Sequence, residues 1–196
     1  MNPFNAFSGI LKMYINEKVI KELPHKWSEK SRVYHNTNHL IQIILDIEKS
    51  IWFKELNVYE KQALLLASFF HDSIYDSKRK DNEDQSIKYF IASFKEKEKD
   101  PKMLNTVCEL IETTKHRKRP INKLQKIFWD ADNAKFKKGY NELLKYEKEI
   151  QKENSFLTKT EYKEKRIKFL EENLGLFGTS SDKDIKKLIE YIEKKY

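Results

Sequence analysis

Two imidazoles and two carboxylates stand at the ends of three separate apolar segments. His71-Asp72 closes the run Ala63-Leu64-Leu65-Leu66-Ala67-Ser68-Phe69-Phe70, His39 opens a segment carrying Leu40, Ile43, Ile44 and Ile47, and Asp132 follows Ile127-Phe128-Trp129. An ionisable group at the end of a buried segment is costly without a partner, so something must satisfy these four. Neutral imidazole nitrogen and carboxylate oxygen together suit a divalent cation: Mn, Fe, Co, Ni, Zn or Mg. The single cysteine, Cys108, has no partner for a thiolate cluster or an internal disulfide and reads as a small buried hydrophobe. Four protein ligands leave positions for water on an octahedral ion. Such water becomes acidic enough to supply hydroxide near neutral pH, the nucleophile that hydrolysis of a phosphate ester requires.

The elements that must deliver these groups read as helices. Apolar residues recur at helical spacing almost throughout, and no stretch alternates with period two between turn residues. The periodicity predicts helices at about residues 5–22, 37–53, 59–72, 82–97, 102–116, 121–129, 133–153, 160–173 and 181–195. Asn36 or Thr37 is the expected N-cap that puts His39 in the first turn of its helix. The run from Ala63 to Phe70 is apolar on every side, which predicts a central helix packed all round. The fold class expected is all-α, a helical array around that buried helix, with residues 1–196 as one domain.

Composition supports this. The chain has 196 residues, 39% hydrophobic and 36% charged, with only four glycines and four prolines, too few breakers for a chain of many tight turns. No run has the length of a membrane span and the first ten residues lack a secretory layout, so a cytoplasmic protein with no membrane partner is expected. The net charge is +8, but it is carried mainly by lysines interleaved with glutamates. That pattern describes a solvated surface better than a nucleic-acid interface, which would cluster arginine.

The order His39, His71-Asp72, Asp132 resembles the HD superfamily of helical metal-dependent phosphohydrolases. Further stretches look like one branch of predicted HD phosphohydrolases: Tyr34-His35-x-x-x-His39-Leu40, Phe70-His71-Asp72-x-x-Tyr75-Asp76, Asn82-Glu83-x-x-Ser86, Thr113-x-x-His116 and Asp130-Ala131-Asp132. The resemblance implies an HD-like helical domain whose metal ligands are His39, His71, Asp72 and Asp132. It implies that Asp72 and Glu83 take part in catalysis, Glu83 by moving a proton, although an acid in a helical first turn is also favoured by the helix dipole. It implies a small phosphorylated substrate, nucleotide monoesters and diesters included.

His35, His116, Arg79 and Lys80 are candidate substrate contacts, with an ordinary solvated loop as the other reading of the basic residues. Asp76 and Asp130 are expected to orient ligands. The chain departs from the branch at Asn133, where leucine is usual, and at Gln151, where arginine is usual, which points to an altered substrate preference or weakened turnover. Two other readings stay open: a nucleotide-sensing or nucleic-acid-binding module without turnover, and a di-iron oxygenase drawing on His35, Glu83 and His116.

Overall fold

The computed structural model describes residues 2–95, 99–115 and 119–196. Among them it is all-α, with an isolated bridge between Ile15 and Phe94 as the extended pairing. Packing divides the chain, expected as one domain, into two compact units, Met1–Asp132 and Asn133–Tyr196.

The first unit contains α1 (Pro3–Ala6), α2 (Ser8–Tyr14), α3 (Glu17–Trp27), α4 (Thr37–Glu48), α5 (Val58–Phe70), α6 (Asn82–Ser93), α7 (Pro101–Glu112) and α8 (Lys123–Asp132). Helix α5 starts on a capping box in which Asn57 and Glu60 satisfy each other's backbone N–H groups. It is buried from Ala63 to Phe70 and packs against α4, α6, α7 and α8, so the all-round apolar run is the central helix. Helix α4 starts at the Asn36 cap, whose side chain accepts the Asn38 N–H at 2.8 Å. Its Leu40, Ile43, Ile44 and Ile47 then face the core at helical spacing. Helix α7 begins at Pro101, with Asp100 accepting the Met103 N–H at 2.9 Å.

The expected helix over 5–22 is instead three elements, α1 to α3. Ile15 leaves helical geometry at φ −113° and ψ 141°, and it meets Phe94 in the bridge. Periodicity alone does not register that long-range pairing. Helix α3 also runs past Pro24 to Trp27. Helix α8 ends three residues beyond its expected end, which places Asp130 and Asp132 inside its final turn.

In the second unit a short 3-10 turn (Ala134–Lys137) precedes α9 (Tyr140–Glu153), α10 (Lys159–Glu172) and α11 (Thr179–Lys195). The expected helix over 133–153 is broken at Gly139, whose φ of 88° and ψ of 168° are open essentially to glycine alone. Leu143, Ile150, Leu170, Ile185, Leu188 and Ile192 are buried here. So is an ionic group, in which Glu147 accepts from Arg166 Nε at 2.5 Å and from the Tyr162 hydroxyl at 2.7 Å. No helix among the described residues is long and apolar enough to cross a membrane.

Candidate metal centre

Three helices of the first unit bring the four expected ligands together. His39 sits in the first turn of α4, His71 is the C-cap of α5 with Asp72 next to it, and Asp132 is the last residue of α8. His71 Nε2 lies 3.0 Å from Asp72 Oδ2 and 3.4 Å from His39 Nε2. His39 Nε2 lies 3.4 Å from Asp132 Oδ1 and 3.7 Å from Asp72 Oδ2, and His71 Nε2 is 4.0 Å from Asp132 Oδ1. His39, His71 and Asp72 could hold a metal ion, their ligand atoms all falling within 4.8 Å of one another.

These separations fit a coordination sphere. With metal–ligand bonds of about 2.1 Å, neighbouring ligand atoms lie about 3.0 Å apart in an octahedron and about 3.4 Å apart in a tetrahedron, and opposite ones about 4.2 Å apart. The tautomer fits too. His71 Nδ1 is 3.0 Å from the Ser68 carbonyl oxygen, which can only accept, so Nδ1 carries a proton and the ring, when neutral, turns the lone pair of Nε2 toward the cluster. That lone pair faces the Asp72 carboxylate, an arrangement that calls for a cation or a proton between them.

The surroundings are apolar and largely closed. The His71 ring is walled by Trp27 and Phe128, with centroids 5.5 and 5.8 Å away, and the His39 ring by Tyr34 at 4.7 Å. Trp27 also donates its Nε1–H to the Phe69 carbonyl at 3.0 Å, satisfying an acceptor in the last turn of α5. Burial pushes the His39 imidazole down to about 4, against the opposing pull of Asp132. Burial also pushes His71 down, but Asp72 and then Asp132 outweigh it, so this imidazole stands above its ordinary value. Asp72 is pushed up by burial and pulled down further by His71, which holds it well below the usual carboxylate range.

Glu83 lies in the first turn of α6 and is half-buried. Burial raises its pKa, and the charges of Asp72 and Asp132 raise it further, so it senses the cluster electrostatically. The neighbouring motif residues hold the turn after Asp72. Asn82 donates to the Asp76 carbonyl and accepts the Asp76 N–H, both at 3.0 Å, while Ser86 Oγ accepts the Ile74 N–H at 3.1 Å. Asn82 and Ser86 therefore peg the turn, and Glu83 lies between them in sequence.

The other expected residues fall variously. The His35 ring stacks on Tyr75 at 4.0 Å and meets the His39 ring edge-on at 5.8 Å. Arg79 forks onto Asp81 at 2.8 and 2.9 Å on the exposed loop, and Lys80 is exposed beside it. Asp76 is exposed and accepts the Lys78 N–H at 2.9 Å, a local turn contact. Asp130 pairs with Lys126 at 2.9 Å. Two residues apart on a helix are about 200° apart around its axis, so Asp130 and Asp132 point to different sides. His116 lies outside the described residues. Cys108 is half-buried, its thiol pushed up to about 11 by burial and then by Glu112 and Glu109.

Arg32 escaped the sequence reading. It is a buried guanidinium that donates to the backbone carbonyls of Asp72, Ser73 and His35 at 2.6, 3.3 and 3.3 Å. Its position two residues before Tyr34, as one of five arginines in a lysine-rich chain, was the available signal. Comparisons with protein-family models, curated proteins and solved structures found no match.

Proposed function

We propose that this chain is a metal-dependent phosphohydrolase of the HD type, acting on a small phosphate ester, with nucleotide monoesters and diesters as the first class to test. The observation that carries this reading is the convergence of His39 Nε2, His71 Nε2 and Asp72 Oδ2, 3.0 to 3.7 Å apart, with Asp132 Oδ1 3.4 Å from His39 Nε2 and 4.0 Å from His71 Nε2, in a site without thiolate. These four residues would hold the ion. A divalent cation bound there supplies Lewis acidity, which makes water acidic and screens charge on phosphoryl oxygens.

The chain's own groups do the rest. The Ser68 carbonyl keeps the His71 proton on Nδ1 and so keeps Nε2 available. Trp27 and Phe128 exclude bulk water from the His71 side, which strengthens electrostatic interactions inside. Glu83, with its pKa raised by burial and by two nearby carboxylates, is the group suited to accept a proton from water and return one to the leaving oxygen.

The test is metal content of the purified full chain by mass spectrometry, paired with phosphate release from a nucleotide panel supplemented with Mn, Co, Ni or Mg. Glu83→Gln is expected to retain metal while turnover falls about 10²- to 10⁴-fold, the usual weight of a proton-transferring group. Metal binding without turnover of any phosphate ester would move the protein to the sensing class. Two irons per chain with oxygen uptake would move it to oxidation. A chain that binds no metal under any supplement overturns the proposal.

A further inference from the structure

We infer that Arg32 is a positioning residue of the metal cluster, fixing the Asp72 backbone and thereby metal affinity. The inference rests on the metal-binding reading above. The side chain of Arg32 is 1% exposed, and its fork joins the two segments that carry site residues. One arm, Nη1, reaches the Asp72 carbonyl at 2.6 Å and the His35 carbonyl at 3.3 Å, and the other, Nη2, reaches Ser73 at 3.3 Å. Nε is held by Glu29 at 3.0 Å. The guanidinium also lies 5.8 Å from the Trp27 ring and 5.5 Å from the Tyr75 ring, and these rings pack on His71 and His35 respectively.

Asp72 and Ser73 lie just past the end of α5, where carbonyls have no intrahelical partner, so the peptide planes that aim the Asp72 side chain depend on an outside donor. A planar fork can meet three carbonyls in one geometry, which a single ammonium cannot reproduce. Arg32 touches no ligand atom of the cluster. It acts through the backbone of Asp72 and through the rings beside His71 and His35.

The experiment titrates Co²⁺ and Mn²⁺ into chelator-stripped full chain by calorimetry and records the visible ligand-field absorption of the Co²⁺ form. Variants are Arg32→Met, Arg32→Lys and Glu29→Ala. Folded Arg32→Met is expected to bind about 10- to 100-fold more weakly, the usual effect of losing an outer-shell partner, and to show a shifted Co²⁺ band. Arg32→Lys should not restore the affinity.

A folded Arg32→Met with wild-type affinity and an unshifted band overturns the inference, leaving a purely structural residue, and so does full rescue by lysine. If neither Arg32 variant folds, Glu29→Ala decides: its half-exposed side chain can be removed without emptying the core. Weaker metal binding at an unchanged melting midpoint then supports the clamp, and unchanged binding overturns it. A wild-type chain that binds neither ion overturns the metal reading and this inference together, whereas loss confined to the variants separates the two.

Discussion

Replacing Asp132 with asparagine keeps the shape of the side chain and removes its charge, so it separates metal binding from packing. Asp132 Oδ1 stands 3.4 Å from His39 Nε2 and 4.0 Å from His71 Nε2, on a side chain 14% exposed. With metal at a hundred times its dissociation constant, the wild-type chain should gain about 2.7 kcal/mol. For a protein of this size that is a rise in melting midpoint of roughly 5–11 °C. Losing a ligand outright should cost at least the roughly 100-fold upper bound for losing an outer-shell partner. At the same metal concentration the ratio to the dissociation constant then falls to about one, leaving about 0.4 kcal/mol, or about 1–2 °C.

With chelator present, Asp132→Asn should melt no lower than wild type, because one of two largely buried carboxylates has been neutralised. The assay is thermal unfolding followed by circular dichroism, with and without Mn²⁺. An undiminished metal-induced shift in the variant refutes the assignment of Asp132 as a ligand. A fall in the chelated midpoint as large as the wild-type metal shift makes Asp132 a structural residue instead.

Stability of the chelated chain should be lost on both sides of the ordinary imidazole range. His71, raised mainly by Asp72 against burial, contributes stability that is complete below its unfolded value near 6.5 and lost as pH rises through the higher folded value; His39, lowered by burial to about 4, makes stability fall as pH drops from about 6.5 toward 4. Denaturant midpoints across pH 4 to 9 check this, and a monotonic profile contradicts it. Trp27→Phe leaves the buried Phe69 carbonyl without its 3.0 Å donor and should cost about 1–3 kcal/mol in urea unfolding; a neutral result would show that α5 needs no such cap. Glu147→Gln strands the buried Arg166 charge and should destabilise the second unit by about 3–5 kcal/mol, read by hydrogen exchange over α9 to α11; wild-type protection there would refute it.

Much of the fold was legible because local chemistry decides it. The Asn36 cap and apolar stripe of α4 and the all-round apolar run of α5 are short-range patterns, and each begins or orients a helix where it stands. The four candidate ligands were legible for a related reason: ionisable groups at the ends of apolar runs are costly enough to demand partners. Tertiary structure decided what depends on distant atoms. Ile15 interrupts a periodic segment because Phe94 pairs with it, and α8 continues far enough to turn Asp132 toward His39 and Asp130 toward Lys126. Asn82, Ser86 and Arg32 serve backbone groups of the turn that follows α5, and no spacing rule names a partner 40 residues away, as Arg32 and Asp72 are. Residue types and their periods thus specify which groups must be satisfied, and packing of α4, α5 and α8 specifies which atoms satisfy them, because convergence in space is a property of the assembled core.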